Sequence, residues 1–259
     1  MQAQTFPDEM LSCDAFLGGK LKLFQPKQAY RAGIDPVLLA ASVPARSGDS
    51  VLDLGCGAGA ALLCLGARVP GLRLWGAELQ PGYAALAARN AALNGLTAEI
   101  VTADLNILPP PLSQMQFNHV IANPPYFDPL RRTSARDPGR ETGLAEGRPL
   151  GEWVGVAARR TAPGGTVTMI QSAERLPDLA AAMVAHLGSV QLWPLAPRTG
   201  RDPRLILVRG RKAGRAVFRL HAPLILHEGA HHSGDVESYV PLIRAVLRDG
   251  AALPFPAHG

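Results

Sequence analysis

Cysteine is nearly missing from this chain of 259 residues: Cys13, Cys56 and Cys64 are the whole supply, an odd number with no C-x-x-C pair. That argues against a disulfide framework and against a thiolate zinc site, and makes a reducing cytoplasm the expected setting. Long apolar runs are missing as well. Although 47% of the residues are hydrophobic, no stretch reaches the roughly 18 apolar residues that a membrane-crossing helix needs. The opening residues, Met1 to Glu9, have neither the basic start nor the apolar centre of a secretory signal. Repeats and low-complexity tracts are absent too. What remains is a globular composition, long enough to bury one substantial core.

Acids are a local shortage. The net charge is +5, but it is unevenly spread. From Lys20 to Arg31 there are four cations (Lys20, Lys22, Lys27, Arg31) and no acid. From Ala196 to Leu220 there are eight (Arg198, Arg201, Arg204, Arg209, Arg211, Lys212, Arg215, Arg219) against Asp202 alone. Two such segments make either a footprint for a polyanion or a solvated arginine-rich surface, and composition does not choose between them.

The chain otherwise reads as alternating strands and helices. Residues 50–55 form a buried strand entering a glycine turn, 58–69 a helix that Pro70-Gly71 stops, and 73–79 a second strand. A helix over 81–95 starts on Pro81 and stops at Asn94-Gly95. Strands follow at 98–104 and 117–123. After a long Arg- and Gly-rich loop, Phe127 to Arg148, come a helix, a turn at Pro163-Gly164-Gly165 and a strand over 166–171. Loops of that length are rare in compact domains without a function. A helix near 174–187, strands near 189–195 and 204–209, and a helix near 236–249 close the chain. The pattern predicts a doubly wound α/β fold around a mainly parallel sheet.

Chemistry concentrates at two strand ends. Asp53-Leu54-Gly55-Cys56-Gly57-Ala58-Gly59 sits at the first strand-to-helix turn, where glycines let a backbone approach a ligand and present amides at a helix start. Glu78 closes the second strand, where a carboxylate can take both ribose hydroxyls, and Asp104 closes the third, within reach of an adenine edge. The other end is Asn123-Pro124-Pro125-Tyr126. Proline cannot donate to a sheet ladder and holds the preceding residue extended. The fourth strand must therefore stop at about Asn123, leaving a stiff corner of hydrogen-bond acceptors beside a ring.

The D-x-G-x-G-x-G turn with its two acids resembles the class I S-adenosylmethionine-dependent methyltransferases. The resemblance implies that Asp53, Gly55, Cys56, Gly57 and Gly59 hold the methionine part of S-adenosylmethionine, Glu78 and Leu79 its ribose, and Asp104 and Leu105 its adenine. N-P-P-Y at the fourth strand is similar to the motif of methyltransferases acting on a planar, conjugated nitrogen. There the Asn123 side chain and the Pro124 carbonyl would accept the two N–H bonds, and Tyr126 would stack on the base. Adenine-N6, guanine-N2 and glutamine-N5 enzymes share that motif. Residues 14–41, with Gly-Gly-Lys-Leu, Gln25-Pro26-Lys27, Tyr30-Arg31 and Asp35, resemble the start of the bacterial tRNA(Val) adenine-37 N6-methyltransferase family. The glutamine-N5 enzymes carry a longer helical segment there instead. The closing segments "PRTGRDPRLILVRGRK" and "PLILHE" extend the likeness to about Glu228.

The resemblance implies a seven-stranded sheet, an N-terminal extension (1–45) over the pocket and a methyltransferase domain (46–259). It also implies Tyr30, Arg31, Asp35 and Asn123 beside the cofactor, and Lys27, Arg31, Tyr126, Phe127, Arg131, Arg132, Arg198 and Arg201 on tRNA. No metal or membrane partner is expected, and monomer and homodimer stay equally open. His227-Glu228-Gly229-Ala230-His231 matches H-E-x-x-H, but that zinc motif needs a helix, and this one follows an extended run and contains glycine. A loop is expected there. Trp75, Trp153 and Trp193 are expected in the core.

Overall fold

The computed structural model describes residues 6–126, 148–229 and 238–257. A hairpin of β1 (Leu11–Phe16) and β2 (Leu21–Pro26) is followed by α1 (Asp35–Ser42). Then come β3 (Ser50–Leu54), α2 (Ala60–Arg68), β4 (Arg73–Glu78), α3 (Pro81–Leu93), β5 (Ala98–Thr102) and β6 (Phe117–Ala122). The chain continues through α4 (Leu150–Arg160), β7 (Thr161–Ser172), α5 (Leu176–His186), β8 (Gly188–Ala196) and β9 (Leu205–Arg211). Two short strands, β10 (Arg219–Leu220) and β11 (Leu224–Ile225), precede α6 (Pro241–Asp249).

The sheet runs β10-β8-β9-β7-β6-β3-β4-β5, with β11 also on β8. The seven expected strands are its body, and β10 and β11 add short parallel pairings along β8. β3 to β7 pair with one another in parallel, and in this sheet β9 alone runs antiparallel, between β7 and β8. Strand order reverses at β3: β4 and β5 lie to one side, β6 and β7 to the other. Central β3 is buried over its whole length, which is why it reads as an unbroken run rather than an alternation.

Helices cover both faces. Leu62, Leu63, Leu65, Leu38, Leu39 and Ile243 of α2, α1 and α6 join one core cluster, while Trp153, Val154, Leu179 and Met183 of α4 and α5 join the other. The hairpin belongs to the first, through Leu21 and Leu23. The predicted turn at Pro163-Gly164-Gly165 is instead absorbed into β7. Gly164 takes φ 78°, Lys212 N–H bonds the Gly165 carbonyl at 2.9 Å, and a Cβ at Gly165 would meet the Asn118 carbonyl at 2.6 Å. Glycines there let an irregular stretch stay paired.

The hairpin is docked by two asparagines of α3. Asn90 Oδ1 accepts from Phe24 N (2.8 Å) while its Nδ2 donates to the carbonyls of Phe24 (3.1 Å) and Ala58 (2.9 Å). Asn94 Oδ1 accepts from Lys22 N (2.9 Å) and its Nδ2 donates to Lys22 O (2.7 Å). Four residues of helix rise about 6 Å and two residues of strand about 6.6 Å, so an i, i+4 pair matches the i, i+2 backbone groups of β2. Two amides thus do for the β2 edge what a neighbouring strand would.

Candidate active site

β3 and β6 are paired with Leu54 opposite Ala122. The glycine turn and the proline corner therefore leave adjacent strand ends, at the point where the sheet order reverses, which is where open α/β sheets bind ligands. Gln25, Tyr30, Asp53, Gly57, Tyr83 and Asn123 line one cleft there. Gly55, Gly57 and Gly59 all have left-handed φ (67°, 55° and 87°), a conformation that favours glycine. A Cβ at Gly55 would lie 2.7 Å from the Trp153 ring, whereas one at Gly57 would meet nothing within 4 Å. Gly55 is thus demanded by the core beneath it, and Gly57 leaves the turn open towards the cleft.

Two buried carboxyls flank that turn, both held by backbone N–H groups. Glu78 Oε2 accepts from Gly57 N and Oε1 from Gln80 N, each at 2.9 Å. Burial raises its pKa above the ordinary carboxylate value, with the Gln80, Gly57 and Leu79 amides pulling the other way. Burial, then the nearby Glu78, pushes Asp53 up further. Among the described residues neither acid forms an ion pair, and a cation at the turn would favour their charged forms. Cys56 lies buried against both, and burial, then those acids, hold it as a thiol.

The corner itself is more elaborate than its sequence implies. Asn123 Nδ2 faces the Tyr30 hydroxyl (3.4 Å), and its Oδ1 is buried with no hydrogen-bond partner among the described residues. Tyr30 is 62% exposed, yet its hydroxyl end is enclosed, and burial followed by Asp35 raises its pKa to about 12. The Tyr126 hydroxyl donates to Asp35 Oδ2 at 2.6 Å, and burial, then Asp35, keeps that phenol protonated. Gln171, at the end of β7 and fully buried, donates to the carbonyls of Pro124 (3.2 Å) and Pro125 (3.3 Å). Tyr83 donates to the Tyr30 carbonyl at 3.1 Å.

Sequence reasoning does not reach Gln171 or Tyr83 as site residues. A glutamine near the end of the strand that follows the N-P-P-Y strand is the available signal.

Other expected residues lie elsewhere. Asp104 pairs with Arg148 and accepts from Asn106 N at 2.9 Å, Leu105 packs into the core, and half-buried Leu79 follows Glu78. None of the three lines the cleft. Arg31, expected at the pocket, pairs with Asp14 (2.8 Å) and donates to Ser12. Lys27 reaches the Glu9 carbonyl at 2.9 Å. Arg198 must be withdrawn from the polyanion contacts: it is buried, and its guanidinium serves the carbonyls of Glu228 and Gly229 and the Ser238 hydroxyl. Arg201 is exposed, in the β8–β9 connection. Phe127, Arg131 and Arg132 lie outside the described residues.

His227 is in no helix. It stacks on Tyr239 at 4.5 Å between ring centres, and His231 is outside the described residues. Among the described residues no cluster of three metal-ligating side chains occurs, and no helix is long and apolar enough to cross a membrane. Trp153 and Trp193 are core, as expected, and Trp75 packs edge-on against Phe117.

Comparison with known proteins converges on this geometry. The methyltransferase small domain family matches residues 32–136. The tRNA1(Val) (adenine(37)-N6)-methyltransferase of Porphyromonas gingivalis is 31% identical over 218 residues, 80% of this chain and 84% of that protein. Its namesake in Yersinia pestis is 30% identical over 219 residues, 78% of this chain and 83% of that protein. A solved structure from Agrobacterium tumefaciens, described as a predicted O-methyltransferase, superposes with a TM-score of 0.68 at 26% identity, covering 86% of this chain and 100% of that one. A Thermus thermophilus 16S rRNA N2 methyltransferase, solved with AdoMet and guanosine, is similar in fold (TM-score 0.54, 19% identity), covering 78% of this chain and 50% of that one.

Proposed function

This chain belongs to the family of the tRNA1(Val) (adenine(37)-N6)-methyltransferases and is an S-adenosylmethionine-dependent methyltransferase; on that premise we propose that its acceptor is the exocyclic N6 of an adenine in tRNA, of the position-37 type. The observation that carries the reading is the buried Asn123 Oδ1, which has no hydrogen-bond partner among the described residues, beside the Pro124 carbonyl.

The residues present fit the cofactor. Gly57 leaves open space at the turn, and a cationic ligand there would favour the charged forms of the buried Asp53 and Glu78. Asp53 and the Gly55–Gly59 turn would hold its methionine end and Glu78 its ribose. Asp104, with Leu105, would meet its adenine in exchange for the Arg148 pairing. The N-terminal extension, residues 1–45, would close the pocket through Gln25 and Tyr30. When bound, the cofactor supplies an electrophilic methyl group on a positively charged sulfur.

The chain's own task is to present a poor nucleophile. The lone pair of an adenine N6 is delocalised into the ring. Asn123 Oδ1 accepts one N–H and the Pro124 carbonyl the other, so the lone pair faces out of the base plane. Positive charge growing on the nitrogen is stabilised by acceptors already in place, without a strong base. The Tyr30 hydroxyl faces Nδ2 and leaves the Asn123 oxygen for the substrate. Tyr126, tethered to Asp35, offers a ring for the base to stack on.

The test is methyl transfer from labelled S-adenosylmethionine into tRNA lacking its native modifications, with nucleosides identified by mass spectrometry. N6-methyladenosine is the expected product. Label in N2-methylguanosine, or only in a release-factor glutamine, overturns the acceptor assignment.

A further inference from the structure

We infer that Gln171 is a positioning residue for methyl transfer: its side-chain amide clamps the Pro124-Pro125 backbone and fixes the carbonyl that accepts the substrate amine. The inference rests on the reading of Pro124 as an acceptor.

Two consecutive prolines leave the corner short of donors. β6 pairs with β7 in register, Ala122 opposite Met169, and two residues further on Pro124 comes level with Gln171. Neither Pro124 nor Pro125 has an N–H to continue the ladder, so regular pairing stops there, and a side chain holds their carbonyls instead. Gln171 holds both carbonyls, placing Nε2 3.2 Å from Pro124 O and 3.3 Å from Pro125 O. Its own orientation is dictated, because Ser172 N donates to Gln171 Oε1 at 2.8 Å. A flipped amide would put its oxygen against two carbonyl oxygens and its NH2 against an N–H. The amide therefore has one arrangement, and it has no exposure to water.

A carbonyl oxygen has two lone pairs. With one engaged by Gln171, the Pro124 carbonyl keeps the other for the incoming amine and cannot swing while it does so. Placement to within a fraction of an ångström matters to an in-line transfer, where a shift of about 1 Å can cost on the order of a hundredfold. Gln171 touches neither base nor cofactor in this scheme; it acts through Pro124.

Two variants test this. Gln171→Met keeps length and apolar bulk but donates nothing. Gln171→Glu keeps the shape and donates only while its carboxyl is protonated. For each, kcat and KM for S-adenosylmethionine are measured with unmodified tRNA, together with Tm. Gln171→Met is expected to lower kcat about tenfold to a hundredfold with KM within about threefold. The kcat of Gln171→Glu, taken as a ratio to the unsubstituted enzyme, should climb as pH falls from about 8 to about 6, because protonation restores the donor. A merely structural glutamine would not produce that profile. A Gln171→Met enzyme with full kcat, or a Gln171→Glu ratio indifferent to pH, overturns the inference. Should Gln171→Met fail to fold, the pH ratio of Gln171→Glu decides alone. The acceptor reading fails separately: if the unsubstituted enzyme labels another nucleoside, the same ratios are read on that acceptor.

Discussion

Asn123 concentrates the chemistry of this chain in one side chain, and its neighbours show how an amide is made directional. An asparagine can offer either its oxygen or its NH2 to a ligand. Here the hydroxyl of Tyr30, from far earlier in the chain, faces the NH2 side, and the oxygen is left buried with no partner among the described residues. A buried acceptor without a partner is costly unless a ligand supplies one. Asn123→Ala is expected to lower kcat by at least about a hundredfold while the calorimetric Kd for S-adenosylmethionine stays within about threefold. Comparable loss of cofactor affinity would move Asn123 out of the acceptor role. At this scale the sequence is most legible where the motif is contiguous: Asn123 to Tyr126 declare a strand end by their own backbone limits. It is least legible where partners are distant. Nothing local to Gln171 announces that it meets this corner, and from the sequence Tyr30 and Asp35 are placed beside Asn123 by family resemblance alone. Arg31, next to Tyr30, turns the other way to Asp14.

At the scale of elements, α3 joins two parts of the molecule that the sequence presents separately. Asn90 bonds both backbone groups of Phe24 in the hairpin and the Ala58 carbonyl in the glycine turn, with no exposure. Asn90→Ala leaves a buried N–H and two buried carbonyls without that partner, at a cost of about 2–4 kcal/mol. Urea unfolding should register that loss, and hydrogen exchange should place it, with the Phe24 amide losing protection ahead of the β3 amides. Unchanged exchange at Phe24 would mean that apolar packing alone docks the hairpin. The same variant should weaken S-adenosylmethionine binding, since the turn loses its anchor. Asn94 reads as a helix stop, and it does end α3, but the match of helical i, i+4 to strand i, i+2 spacing gives it a second task. Such a match exists only once the two elements lie side by side.

For the whole molecule, topology divides the basic segment at 196–220 into parts with different uses. β8 is parallel to β7, so the β8–β9 connection with Arg201 and Arg204 emerges at the same end of the sheet as the Asn123 corner. β9 returns antiparallel, so Arg211, Lys212 and Arg215 lie at the opposite end. Arg198 is buried as a clamp on the chain near Glu228, and Arg209 lies 4.3 Å over the Phe255 ring. A polyanion whose base enters the corner can reach the first loop and not the second. Accordingly, Arg201→Ala and Arg204→Ala should each weaken tRNA binding and flatten the slope of log K against log salt, by about 1 for each phosphate that is no longer neutralised. Arg215→Ala should leave both unchanged, and Arg198→Ala should lower Tm instead. Equal effects of Arg201 and Arg215 on the slope would place the RNA across a different face.

Sequence alone determined the order of strands and helices from β3 to β9, the glycine turn, the proline corner and the charge of the segments between them. These follow from backbone restriction and periodicity, which act within a few residues. Only tertiary structure decided which side chains complete the site. Gln171 faces the prolines because β7 pairs with β6 in that register, and Tyr30 and Asp35 reach the corner because the hairpin docks on α3 and α1 packs on α2 and β7. Arg198 leaves the surface because the chain near Glu228 closes over it. Register and docking are set by burial summed over the whole core, and no short stretch of sequence carries that sum.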